Sequence, residues 1–225
     1  MRRRALLLLP LALLLGGLAP SVFADDGWKL EKDADGIRIE SRAVPGWKIH
    51  EMRGTVQIDA PLSAVAAVID DASAIPRLND VVAHAEVVQR TSATRYRIYA
   101  AMKMPWPVSD RDIVNQREIK LDPATHGVTF VDTAVPDAET HKDYVRIVKS
   151  RQEWRLTPTG DGRTDVQIQL LSDPGGIPST LINAMSVSSP FNTLGNLRKL
   201  AAQAPYAGAK PAFLATPPSS ASAGR

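Results

Sequence analysis

Apolar and polar side chains alternate most cleanly between residues 94 and 104. Tyr96, Ile98, Ala100, Met102 and Met104 share one side, and Arg95, Arg97, Tyr99, Ala101 and Lys103 the other. A period of two is the mark of a half-buried strand. The same reading predicts strands over 28–32, 36–42, 49–58, 81–89, 111–121, 128–133, 144–156 and 164–171. Asp33-Ala34-Asp35-Gly36 and Thr159-Gly160-Asp161-Gly162 carry hairpin-turn chemistry. Strands joined by short turns imply an antiparallel sheet.

Helical spacing occurs twice. Leu62, Val65, Ala66, Val68 and Ile69 form one apolar side, with Asp59 as the expected cap and Pro61 in the first turn. A short second helix is predicted over 73–78. Near the C-terminus Ile177, Leu181, Met185, Leu194, Leu197 and Ala201 are spaced for a helix over 177–203. Pro190 must kink or restart it, because proline lacks a backbone donor. Residues 204–225 are rich in Ala, Pro and Ser and are predicted to be a disordered tail. Strands, a helical pair, more strands and a final long helix make an α+β chain.

Between two of the strands lies Pro105-Trp106-Pro107-Val108-Ser109-Asp110-Arg111-Asp112-Ile113-Val114. Its two prolines rule out a helix through the segment and predict a rigid connection with Trp106 pinned at its centre. This stretch resembles the middle of the START (steroidogenic-acute-regulatory-related lipid transfer) domain family, in which a proline-containing turn leads into Ser-x-Arg-Asp-Phe/Ile-Val. Asp173-Pro174-Gly175-Gly176, followed by Pro178, is a second local match. At Pro76-Arg77-Leu78-Asn79 the chain departs from the family, which often carries Trp where Leu78 stands.

The resemblance spans 28–203 and implies a helix-grip fold, a curved antiparallel sheet wrapped around a long C-terminal helix. It implies a cavity between sheet and helix for one lipid or other hydrophobic small molecule. The expected lining is Tyr96, Ile98, Ala100, Met102, Met104, Trp106, Asn115 and Arg117, with Leu181 and Met185 from the helix. Methionine adapts to varied apolar surfaces; the competing reading is that the strand residues simply fill a core.

Arg117 shares parity with Ile113, Asn115 and Ile119, so either it points inward or a bulge turns it to solvent. In many family members this Arg pairs with a Glu on the preceding strand, near Ile98 here, where no acid stands. An inward Arg117 would then need water, an acid from another strand, or a carboxylate or phosphate on the ligand.

The N-terminus changes the charge picture. Arg2, Arg3 and Arg4 precede an apolar run from Ala5 to Leu15, and Val22-Phe23-Ala24 fits a cleavage site. Residues 1–24 are predicted to be a signal peptide, since the run falls short of the roughly 20 residues of a membrane span. The 27 basic residues, less those three, equal the 24 acidic ones, so no basic stripe argues for nucleic acid. There is no Cys; an exported domain of this length can build its core without disulfides.

His50, His84, His126 and His141 are not at metal-ligand spacing, and Gly-x-Ser-x-Gly does not occur. Gly175-Gly176 could cradle a phosphate, although a strand-to-helix turn is the plainer reading. Asp110, Arg111 and Asp112 read as a charge cluster rather than a catalytic pair, because adjacent strand residues face opposite ways. The expectation is a periplasmic or secreted monomer that binds or transfers a hydrophobic ligand, with no cofactor or metal and with transient membrane contact. The alternative is an enzyme of the same superfamily, similar to a polyketide cyclase.

Overall fold

In the computed structural model the described residues are 27–136, 138 and 141–215, so the expected signal peptide lies outside them. The chain opens with a hairpin, β1 (Lys29–Ala34) and β2 (Ile37–Arg42). Its turn places Asp35 and Gly36 at φ of 54° and 70°, the geometry that Asp-Gly tolerates. After β3 (Glu51–Ile58) comes α1 (Leu62–Asp70). Asp59 does not cap α1: Pro61 occupies the cap position at φ −65° and no side chain bonds there. A 3-10 turn (Ala72–Ala74) and α2 (Ile75–Leu78) follow.

Then come β4 (Val82–Arg90), β5 (Arg95–Met102), β6 (Arg111–Leu121), β7 (Val128–Ala134), β8 (Val145–Arg146), β9 (Lys149–Pro158) and β10 (Thr164–Asp173). The single strand expected over 144–156 is thus two. β8 pairs with the start of β6 in parallel, and Ile147 turns inward before β9 joins β7 and β10. The C-terminal helix is also two, α3 (Ser179–Met185) and α4 (Ser188–Ala201). Pro190 sits in the first turn of α4, where its missing donor is harmless, and the break falls just before it.

The sheet order is β1-β2-β3-β10-β9-β7-β6-β5-β4, antiparallel throughout this path. α1 and α2 carry the chain from β3 to the far edge, and the strands return one by one to meet β3. Two adjacent rows across this sheet have different characters. Ile39, Gly54, Ile168, Trp154, Phe130 and Ile119 stand in register on β2, β3, β10, β9, β7 and β6. Except for Gly54, they belong to the main buried core. Two residues along each strand the row becomes Met52, Leu170, Gln152, Asp132, Arg117 and Tyr96. Here the solid apolar core ends.

α4 grips the core row. Pro190, Thr193, Leu194, Leu197, Leu200 and Ala201 are its buried side, at helical spacing. A Cβ on Gly54 would stand 2.8 Å from Leu194 Cδ1, so the bare glycine lets the helix sit down on the sheet.

The tail expected over 204–225 is ordered in its described part, and the domain extends to at least residue 215. Tyr206 and Phe213 are both buried. Tyr206 donates to the Asp71 carboxylate at 2.6 Å. Phe213 meets Phe130 edge to face at 5.8 Å. Two aromatic anchors outweigh a composition that otherwise disfavours packing.

Candidate functional site

A cavity of about 320 Å³ lies between the inner face of the sheet, α2 and the two C-terminal helices. It lies near the lower end of the roughly 300–1,000 Å³ typical of small-molecule pockets. Its floor is the row at which the core turns polar. One wall is apolar: Ile98, Ala100 and Met102 on β5, Ile113 on β6, and Ile75 and Leu78 on α2. The opposite wall is mixed, with Ser150 and Gln152 on β9 and Ser172 on β10. Val81, Met104, Arg111, Pro174 and Ile182 line its outer end.

Arg117 does face inward, and it is paired. The register sets it directly opposite Asp132 on β7. Nε donates to Oδ1 and Nη2 to Oδ2, both at 2.7 Å, in a bidentate fork. Nη1 donates to the Ile69 carbonyl at the end of α1. The two side chains are 3% and 5% exposed. Burial opposes the charge on Arg117, but the Asp132 carboxylate more than offsets it and holds the guanidinium above its ordinary pKa. The expected acid at Ile98 is therefore replaced by one on the following strand. Counting outward from the β6–β7 hairpin, which opposes Leu121 and Val128, reaches this pair.

Tyr96 keeps the expected parity and stands at the β5 end of the floor row, but it is sealed off from the cavity. It is fully buried in the core, and its hydroxyl donates to the Asp70 carboxylate. Burial raises its pKa, partly opposed by Arg117. Tyr96 does not line the cavity, because the solid core extends one row further along β5 than periodicity alone indicates.

Trp106 is a clearer correction: it is 93% exposed. Asp110 closes the β5–β6 loop on itself by accepting from the Met104 N–H at 3.0 Å and from Lys103 at 2.6 Å. The tip between the prolines is left projecting. Leu181 is likewise at the surface, 47% exposed, and Ile182 takes the inward position. The two are one helical step apart, about 100° around α3, so only one of them can face the cavity. The side chain of Met185 lies outside the described residues. Ile98, Ala100, Met102, Met104, Asn115 and Arg117 do come together around the cavity.

The cluster at 110–112 disperses, as strand alternation requires. Asp112 forms a bidentate pair with Arg146 away from the cavity, at 2.7 and 2.8 Å. Arg111, by contrast, is buried at the cavity mouth. It donates to the carbonyls of Ser109, Pro174 and Gly175, the last at 2.8 Å. It thereby ties the turn before α3 to β6. Gly175 and Gly176 both adopt positive φ, 64° and 65°, so this turn needs glycine. Sequence reasoning missed Asp132, Gln152 and Ile182; only the first follows from hairpin register.

A family model described as START domain matches residues 23–203. A Pseudomonas aeruginosa protein is 33% identical over 204 residues, covering 85% of this chain and 94% of that protein. The crystal structure of a STAR-related lipid transfer protein fragment from Xanthomonas axonopodis is 38% identical, with a TM-score of 0.73. It covers 79% of this chain and 100% of that one. Human STARD10 matches with a TM-score of 0.71 at 20% identity, over 80% and 74% of the two chains, a likeness of fold.

Proposed function

The chain belongs to the START domain family, and from that premise we propose that it is an exported binding and transfer protein for one hydrophobic molecule, a lipid in the first instance. The observation that carries this reading is the cavity itself. It is enclosed by an apolar wall on β5 and α2, its charged floor pair is neutralised internally, and helices cover it. The 38%-identical relative described as a lipid transfer protein supports the same reading. Binding is favoured over catalysis because Asp132 is held by Arg117, and Arg117 by Asp132 and the Ile69 carbonyl, so that among the described residues this pair is not poised for acid–base chemistry.

Entry and exit take place at the mouth. α3 is short, glycines precede it, and the chain breaks again at Ser186 and Val187 before α4. We take α3 as a lid that swings at Gly175–Gly176 when the Arg111 latch releases. Trp106, on the loop beside Met104, and Leu181, beside Ile182, give this end an apolar rim for transient contact with a membrane. Residues 1–24 would direct export, so the exported chain should begin at Asp25 by N-terminal sequencing.

The test is transfer of a labelled lipid between donor and acceptor vesicles. Acceleration by catalytic amounts of protein is expected. No binding and no transfer, together with turnover of an aromatic polyketide, would replace the carrier with the cyclase-like alternative.

A further inference from the structure

We propose that the buried end of the ligand is an uncharged hydroxyl group held by the Asn115 carboxamide, an inference that rests on the cavity being the ligand site. Among the described residues, Asn115 Oδ1 is the buried side-chain oxygen that no donor reaches. The sheet explains why. Asn115 is opposed by Ile98 on β5 and Ala134 on β7, neither of which has a polar side chain. Its neighbours along the same face of β6 are Ile113 and Arg117. Arg117 is turned away, engaged with Asp132 and the Ile69 carbonyl. An amide acceptor left unmatched in a buried site is costly, and such groups call for a partner.

The cavity decides what that partner is. Asn115 lines it one step above the Arg117–Asp132 floor. A carboxylate or phosphate oxygen has no proton to give to Oδ1, and at this depth it would meet a guanidinium already neutralised by Asp132. An ammonium would meet an Asp132 carboxylate whose charge Arg117 already neutralises. Either charge would be buried without a counter-charge. A hydroxyl both donates and accepts, so it satisfies the carboxamide oxygen and can accept from its NH₂ as well. The apolar wall of Ile98, Ala100 and Ile113 takes the hydrocarbon adjoining that hydroxyl. The ligand class is therefore an alcohol-terminated hydrophobe inserted hydroxyl end first, with Asn115 as the reader of that end.

The experiment compares dodecanol with dodecyl methyl ether, which keeps the oxygen and loses the donor, by calorimetric or displacement binding to the full mature chain. Wild-type protein should bind the alcohol about tenfold or more tightly than the ether. Asn115→Leu should bring the two close together by weakening the alcohol alone. Equal affinity in the wild-type protein would mean that solvent already satisfies Asn115, and the proposal would fall. So it would if dodecanoate matched the alcohol and lost affinity equally in the variant. The wild-type comparison stands alone if Asn115→Leu does not fold, and Asn115→Ser offers a smaller change. Failure of all three probes to bind would instead remove the cavity as a ligand site.

Discussion

Arg117 and Asp132 face each other across β6 and β7 with two 2.7 Å hydrogen bonds, and together they close the floor of the cavity. Removing one partner strands the other's charge. Asp132→Leu is expected to cost about 3–5 kcal/mol in chemical denaturation, as is usual for a broken buried pair. Arg117→Met should be comparably harmful, since it also releases the Ile69 carbonyl. The double variant should be less destabilised than either single one. Additive losses would mean that the two charges do not depend on each other.

Gly54 makes a second, independent test of the fold. A Cβ there would stand 2.8 Å from Leu194 Cδ1 and 3.1 Å from Ile168 Cγ2 and Ile39 Cδ1. Gly54→Ala should therefore cost about 1–3 kcal/mol, the usual range for overpacking. Part of that loss should disappear in the background of Leu194→Ala. A neutral Gly54→Ala would show that α4 does not sit on this row.

Much of this arrangement was legible in the residues. Period-two alternation identified β5 and the face on which Ile98, Ala100 and Met102 stand, and the Pro-Trp-Pro-Val-Ser-Asp-Arg-Asp stretch pointed to the family. Parity does not say how far along a strand the core ends, so Tyr96 shared a face with the cavity residues without reaching the cavity. Asp132 needed cross-strand register, not spacing within one strand. Leu181 and Ile182 differ by a single helical step, and which of them faces inward is set by how α3 packs on the sheet, not by spacing within the helix. Trp106 lies in a loop, where no periodicity tells inside from outside. Composition mistook 204–215 for disorder because its Ala and Pro residues concealed two anchors, Tyr206 and Phe213.

The Tyr206 anchor should respond to pH at both ends of the scale. Burial and the bond to Asp71 push the Tyr206 hydroxyl up to about 12. Asp71 is held below its ordinary value by bonds from Ser73 and Tyr206, against a penalty from burial. A raised folded-state pKa on Tyr206 means stability that is complete below about pH 10 and is lost as pH rises toward about 12. A depressed pKa on Asp71 means stability present above about pH 4 and lost as acid protonates the carboxylate. Tyr206→Phe should therefore lower Tm at pH 7 and make little difference above pH 12. An unchanged Tm at neutral pH would mean that the bond contributes nothing.

Trp106 is exposed enough to be replaced without harm to the fold. Trp106→Ala should alter stability by no more than about 0.5 kcal/mol, as surface substitutions do. It should weaken vesicle binding severalfold to about tenfold, the scale of partly burying an indole. The part of the wild-type fluorescence that is lost in Trp106→Ala should shift to the blue on vesicles. Unchanged vesicle affinity in the variant would move the membrane contact elsewhere.

The most direct measurement is occupancy by native mass spectrometry, in wild-type protein and in Ala100→Trp, after incubation with vesicles. Ala100 lines the middle of the apolar wall, where an indole would occupy ligand volume. Wild-type protein is expected to carry one hydrophobic molecule per chain. Ala100→Trp should be empty and keep a wild-type circular dichroism spectrum. Equal occupancy in both proteins would contradict the account. So would an unoccupied wild-type chain whose Ala100→Trp variant loses about 1–3 kcal/mol of stability, the sign of a packed core rather than a cavity.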